Sequence, residues 1–170
     1  MPLLKRLARL RVPLGFVFAA LVFWLARPTW RSIAAGAAIG VAGALIRLWA
    51  AGHLEKSREV TRSGPYRFTR HPLYAGSSVL ALGLAVGAAS LPAALVVALY
   101  MTATIAAAIR TEEAFLRDRF GDAYDAYAAR RLPPSGRRFS FERAWRNREY
   151  RAMAGFALAI AILALKAARG

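Results

Sequence analysis

Apolar residues along this chain are gathered into five blocks, which are separated alternately by short connections and by long polar segments. The blocks run over residues 12–26, 32–51, 74–89, 93–109 and 152–168. A helix rises about 1.5 Å per residue, so blocks of this length cross most of a hydrocarbon layer roughly 30 Å thick. The pattern therefore predicts an all-α fold, a polytopic membrane bundle of about five transmembrane helices, formed by a single domain over residues 1–170.

The first block is short for a membrane span, and leucines between residues 3 and 10 recur at helical spacing before it. A basic start followed by an apolar stretch is also typical of a secretion signal. Here the stretch ends in the polar segment 27–31 and has no small-residue cleavage site, so we expect it to remain as a span.

Two features indicate how the predicted helices pack. The connection over residues 90–92 is so short that the third and fourth blocks must form an antiparallel hairpin. Gly36 and Gly40 are four residues apart in the second block, and Gly83 and Gly87 repeat that spacing in the third. Small residues at this spacing allow helix backbones to approach closely.

Basic residues lie mainly on one side of the predicted bundle. Of the 25 Lys and Arg residues, 20 fall in segments 1–11, 52–73 and 110–151, and all nine acidic residues lie there too. Since positively charged loops stay on the cytoplasmic side, we expect a cytoplasmic N-terminus. Arg47 lies inside the second block, where a side chain that reaches back to the interface is the simpler interpretation and an inward-facing functional arginine is the alternative.

Composition excludes several classes of site and partner. The chain has no cysteine, which excludes disulfides and thiolate metal ligands, and it has only His53 and His71, so we expect no metal site. The formal charge of +16 would suggest nucleic acid in a soluble protein, but beside membrane spans it fits topology and contact with anionic membrane lipids. We therefore expect no nucleic-acid partner and a location in a bacterial inner membrane.

Two polar motifs flank the hairpin 74–109 on the predicted cytoplasmic face. The first is Ser-Gly-Pro-Tyr-Arg-Phe-Thr-Arg-His-Pro-Leu-Tyr-Ala-Gly over residues 63–76. The second begins Arg-Thr-Glu-Glu-Ala-Phe-Leu at residue 110 and continues as Phe-Gly-Asp-Ala-Tyr-Asp-Ala-Tyr over residues 120–127. A loop that only joined two spans would not need this set of side chains, so the pattern indicates an enzyme site.

These motifs resemble those of the isoprenylcysteine carboxyl methyltransferase and phospholipid methyltransferase family of integral membrane enzymes. The resemblance covers about residues 53–135 and implies methyl transfer from S-adenosylmethionine to a lipid-soluble acceptor at the cytoplasmic membrane edge. It also implies a set of cofactor-binding residues: Val60, Thr61, Tyr66, His71, Pro72, Leu73, Tyr74, Glu112, Tyr124 and Tyr127. The catalytic candidates are Arg110, for orienting the acceptor, and Glu113.

Physical chemistry supports these assignments but leaves alternatives open. Pro72 suits the first turn of a helix, and it pushes His71 out of the helical conformation, so His71 ends the loop. Tyr66 and Tyr74 could cover the adenine or flank the sulfonium, or they could be aromatic residues of the membrane interface. A carboxylate from Glu112 or Glu113 would pair with the cationic cofactor, although the same residues could form local ion pairs on a solvated helix face.

The acceptor and some residue roles stay open. A carboxylate acceptor needs no general base, whereas an amine or a hydroxyl would need Glu113 or Tyr74 to take its proton. Arg110 is two residues before Glu112, whereas in the family the corresponding arginine is about one turn before the glutamate pair, which leaves its role in question. The alternatives are an NADPH-dependent reductase of the sterol reductase type and a non-catalytic protein with a degenerate pocket. The basic, aromatic run 137–151 resembles an amphipathic helix on the membrane surface.

Overall fold

The computed structural model describes residues 15–170, and all regular structure in that range is helical. The elements in chain order are α1 (Gly15–Leu25), α2 (Trp30–His53), a single 3₁₀ turn (Gly64–Arg67), α3 (Pro72–Ala88), α4 (Leu91–Phe120), α5 (Asp122–Ala128), α6 (Phe141–Arg146) and α7 (Tyr150–Ala167). This confirms the all-α fold class. The leucines between residues 3 and 10, which recur at helical spacing, lie outside the described residues.

Three of these helices, α2, α4 and α7, are long and apolar enough to cross a membrane, and α1 and α3 are shorter apolar helices. All five predicted blocks thus correspond to helices, with ends that differ from the prediction by a few residues except in α4. The protein is an integral membrane protein whose helix bundle carries its polar segments at one end.

Helix α4 extends well beyond its apolar block. The apolar block ends at residue 109, but the helix continues without a break to Phe120, where Gly121 with a φ of 48° ends it. Residues 110–120 contain strong helix formers and no proline, so nothing in their sequence stops the helix. The polar extension therefore holds Glu112 and Glu113 on a rigid arm beyond the apolar part.

The closest helix contact is between α2 and α3, and glycines make it possible. A Cβ added to Gly83 would lie 2.6 Å from the carbonyl oxygen of Gly36, and one added to Gly36 would lie 2.7 Å from the backbone nitrogen of Gly87. These distances are far below van der Waals contact, and the atoms are backbone atoms that cannot rotate away. The structure confirms that the two glycine pairs mark a helix contact.

We expect Gly83→Ala to destabilise the protein by about 1–3 kcal/mol, because its methyl group must push two backbones apart. The matched control is Gly155→Ala on α7, where an added Cβ meets no atom within 4 Å. That change should be neutral or slightly stabilising, since alanine is the better helix former. Thermal unfolding in detergent would measure both, and equal midpoints for the two variants would contradict the close packing.

The segment after residue 137 is less helical than its sequence indicates. Only Phe141–Arg146 forms a helix, so the prediction of one amphipathic helix over 137–151 is wrong in extent. The chain instead turns back on α2, where Arg143 Nε donates to the carbonyl of Gly52 at 2.8 Å and Asn147 donates to the carbonyl of Ala51 at 2.9 Å. These bonds satisfy carbonyl groups at the end of α2 and place α6 against it.

Candidate active site

The site begins with the loop that leads into α3. Gly64 has a φ of 55° and lies directly against the ring of His53, so a side chain there would be strained and would collide with the imidazole. His53 is buried and its Nδ1 lies 3.0 Å from Ser63 Oγ. His53 thus supports the loop from within. The arrangement turns the chain so that Tyr66 is buried, with 7 % of its surface exposed.

His71 and Pro72 form the junction between the loop and α3, as the sequence predicts. His71 is the N-cap residue and Pro72 is the first residue of the helix. The imidazole Nε2 of His71 lies 3.0 Å from Glu113 Oε1. A carboxylate only accepts, so Nε2 carries the proton in this pair. The other ring nitrogen, Nδ1, is buried and has no hydrogen-bond partner among the described residues.

Glu113 is the electrostatic centre of the site. Besides His71, the Arg70 guanidinium lies 3.1 Å from its Oε1, and Arg117 lies 3.4 Å from its Oε2. The hydrogen bond from His71, with the nearby charges of Arg70 and Arg117, holds the pKa of Glu113 below its ordinary value of 4.5 against the opposing effect of burial. The stabilisation from this ionised carboxylate is complete above pH 4.5 and is lost as the pH falls through the lowered pKa.

Three tyrosines lie near the two glutamates, Tyr124 near Glu113 and Tyr66 and Tyr127 near Glu112. Tyr127 donates its hydroxyl to the backbone carbonyl of Tyr66 at 2.8 Å, and the rings of Tyr124 and Tyr127 lie 6.2 Å apart. Burial, followed by the charge of Glu112, raises the pKa of Tyr66 far above its usual range. Burial also raises the pKa of Tyr127 to about 12. These phenols stay neutral at physiological pH, and α5 closes one side of the site with them.

Arg47 and Glu149 form a buried ion pair that sequence reasoning missed. Arg47 Nη2 lies 3.1 Å from Glu149 Oε2, its Nε contacts the other carboxylate oxygen, and its Nη1 donates to the carbonyl of Leu73 at 3.3 Å and to Ser77. The expectation that Arg47 reaches back to the interface is wrong, because Glu149 lies inside the bundle with 4 % of its surface exposed. The signal in the sequence was a lone acidic residue at the start of the last apolar block.

Gly76, the last residue of the first motif, makes room for that arginine. A Cβ at this position would lie 2.5 Å from Arg47 Cγ and 2.9 Å from the carbonyl oxygen of Gly43. The glycine thus lets α2 pass close to α3 and lets the Arg47 side chain cross the first turns of α3. The motif is therefore partly a packing motif, which its residues alone did not show.

The other predicted residues are placed as follows. Val60 lines a cleft of 550 Å³ that Phe120 and Ala123 also border, and the Thr61 hydroxyl accepts from the backbone of Glu55. The Tyr74 ring centre lies 5.9 Å from that of His71. Arg110 is exposed and makes no hydrogen bond or ion pair with the described site residues, so the structure does not bring it to the cluster, and its role stays a prediction.

The described residues contain no group of three or more His, Cys, Asp or Glu side chains that could hold a metal ion. The arrangement instead offers two carboxylates, a protonated imidazole nitrogen and buried aromatic rings. It is suited to bind an organic cation and to keep water away from it.

Comparison with known proteins identifies relatives of this chain. A cobalt-zinc-cadmium resistance protein of Cupriavidus metallidurans is 37 % identical over 140 residues, which are 78 % of this chain and 64 % of that protein. A nickel-cobalt-cadmium resistance protein of Alcaligenes xylosoxydans xylosoxydans is 36 % identical over 60 % of this chain and 50 % of its own length. The chain thus spans about half to two thirds of these two relatives.

A third relative carries an enzyme name. The protein-S-isoprenylcysteine O-methyltransferase of Schizosaccharomyces pombe is 35 % identical over 48 % of this chain and 34 % of its own length. No solved structure matches the chain. The sequence model of the family described as phospholipid methyltransferase matches residues 12–123, which include the first motif, the hairpin and both glutamates. The chain belongs to this family of membrane methyltransferases.

Proposed function

We propose that the protein transfers a methyl group from S-adenosylmethionine to a lipid-soluble acceptor at the cytoplasmic face of a bacterial inner membrane. The observation that carries this proposal is the ionised Glu113, held by His71 and Arg70 at the start of α3. S-adenosylmethionine would supply a methyl group on a sulfonium, together with an ammonium group. Carboxylates beside a membrane are the natural partners for both cations.

The residues present fit such a cofactor. The buried Nδ1 of His71 lacks a partner among the described residues, so a bound ligand would satisfy a polar atom that the chain leaves open. Glu112 adds a second carboxylate, close enough to raise the pKa of Tyr66. The 550 Å³ cleft beside Val60 has the size of a small-molecule site, and Phe120 gives it an aromatic border.

The protein's own contribution would be positioning and exclusion of water. Tyr66 and Tyr127 keep their protons because burial raises their pKa values, so they wall the site and are not bases. The lowered pKa of Glu113 makes it a weak base that holds a cation rather than one that removes a proton. These properties favour an acceptor that arrives deprotonated, such as a carboxylate.

One observation favours the reductase alternative. The cleft beside Val60 is bordered by Arg58, Arg62 and Arg137, and three guanidinium groups would suit a nucleotide phosphate. All three already have partners: Arg58 lies 3.9 Å from Glu55, Arg137 lies 2.7 Å from Glu59, and Arg62 donates to the carbonyl of Pro133 at 2.9 Å. NADPH is therefore the competitor that a binding experiment must include.

Calorimetry on detergent-purified protein tests the proposal by titrating S-adenosylhomocysteine and NADPH in parallel. We expect binding of the homocysteine compound, lost in His71→Ala and retained in Arg67→Ala, an exposed arginine of the same loop. Binding of NADPH alone would replace the proposal with the reductase. If neither compound binds, the protein is not a methyltransferase and its pocket is degenerate.

A further inference from the structure

A second, almost wholly apolar groove lies between α2, α6 and α7, away from the cleft at Val60. Its volume is 410 Å³, which is within the range of small-ligand sites. The residues that line it are mostly aliphatic or aromatic: Leu48, Phe141, Glu142, Ala144, Trp145, Glu149, Tyr150 and Met153.

The groove lies at the polar end of the bundle and faces outward. Leu48 is five residues before the end of α2, and Tyr150 begins α7, so both lie within about two turns of the ends of their helices. Phe141 and Trp145 are 73 % and 70 % exposed, and they are one turn apart on α6. Large exposed aromatic side chains at this level are those that enter the membrane interface.

The floor of the groove is Glu149, whose carboxylate is paired with Arg47. Because Arg47 Nη2 holds the carboxylate at 3.1 Å, the floor presents no uncompensated charge to an apolar occupant. Arg47 also donates to the carbonyl of Leu73 at 3.3 Å. Arg47 therefore links Glu149 to the first turn of α3, two residues from His71.

The surroundings of the groove are basic. Arg146, Arg148 and Arg151 are exposed near it, whereas Glu142 is the exposed acid and lies 3.7 Å from Arg146. An amphiphile with its chain in the groove would place its polar end among these cations and near Arg47. An anionic end is favoured over a cationic one at such a site.

We infer that this groove binds the hydrocarbon chain of the methyl acceptor, a single-chain amphiphile with an anionic end such as a carboxylate. The acceptor role rests on the proposed function, whereas occupancy of the groove by such a chain rests on the apolar lining, the neutral floor and the basic surroundings. The inference names the acceptor class and adds Leu48, Trp145 and Met153 to the site. Through Arg47, the groove residue Glu149 is also connected to the start of α3.

A photoreactive probe tests the groove directly. A 16-carbon fatty acid with a diazirine in its chain would be irradiated with the detergent-purified full-length protein, and labelled peptides would be mapped by mass spectrometry. We expect saturable labelling at the groove, with one probe per chain, displaced by palmitate. Met153→Phe should weaken labelling about tenfold, because the larger ring would displace roughly two methylene groups of the probe from the groove. Leu158→Phe, which changes an exposed leucine elsewhere on α7, should have no effect.

Parallel titration of S-adenosylhomocysteine into the same preparations separates the two proposals and shows that the variants fold. Cofactor binding without saturable groove labelling, or labelling spread over the lipid-facing surface of α7 and unchanged by Met153→Phe, overturns the groove and leaves the proposed function standing. Groove labelling without cofactor binding supports the chain site but overturns its role as the acceptor site. If a neutral hexadecanol probe labels as strongly as the acid, the inference that the acceptor has an anionic end is wrong.

Discussion

Replacing Glu149 with leucine should destabilise the protein by about 3–5 kcal/mol, because the change leaves the Arg47 guanidinium without its counter-ion inside the bundle. The carboxylate is 4 % exposed, so water cannot replace it without opening the contact between α2 and α7. The loss should appear as a lower midpoint in thermal or denaturant unfolding of the purified protein in detergent.

The double variant Arg47→Met with Glu149→Leu tests whether stability is lost because a buried charge is unpaired or because the contact between the two side chains is gone. Replacing both partners by apolar residues of similar volume is often neutral or stabilising, so most of the stability should return. Glu142→Leu is the control, since Glu142 is exposed and its pair with Arg146 is at the surface. A double variant as unstable as Glu149→Leu would show that the helix contact, and not the charge balance, depends on these side chains.

The second large effect concerns the cofactor site. Glu113→Gln should weaken binding of S-adenosylhomocysteine on the order of 10- to 100-fold, because hydrogen bonds to charged groups contribute roughly 1.5–3 kcal/mol. The amide keeps the size of the side chain but removes the negative charge that His71, Arg70 and Arg117 surround. Calorimetry would give the dissociation constants of the variant and the natural protein.

Asp118→Asn is the matched control, since it removes an exposed carboxylate from the same polar extension of α4. It should leave the dissociation constant unchanged, because Asp118 has no hydrogen bond or ion pair among the described residues. Equal losses in Asp118→Asn and Glu113→Gln would indicate a general effect of charge on the protein surface. An unchanged dissociation constant in Glu113→Gln would contradict the proposed place of the carboxylate in the cofactor site.

Much of the helix arrangement could be read from the chain because its signals are local. Apolar blocks of sufficient length predict spanning helices, and the two residues between α3 and α4 leave only an antiparallel hairpin. The junction of His71 and Pro72 was predictable for the same reason, since proline restricts its own backbone and that of the residue before it. The apolar block marks only the part of α4 before residue 110, because the polar residues 110–120 continue the helix without extending the apolar pattern.

The candidate site was predictable in part. The motifs supplied Glu113, His71 and the tyrosines, and the structure brings His71 to Glu113 and Tyr127 to the backbone of Tyr66. The ion pair of Arg47 and Glu149 could not be read from either motif, because its members are 102 residues apart and neither lies in a motif. Arg110, by contrast, is in the motif but is exposed and makes no hydrogen bond or ion pair with the described site residues.

By itself, the sequence determined that this protein is an α-helical membrane protein with polar motifs at one end, since hydrophobic length and proline restrict each segment without reference to the others. The tertiary structure alone decided which charges meet. A buried charge is stable only beside a partner, and the partner is chosen by how the helices approach one another. In this bundle, glycines allow α2 to lie close to α3. The chain then returns to α2 before α7 begins. These two arrangements bring Arg47 to Glu149.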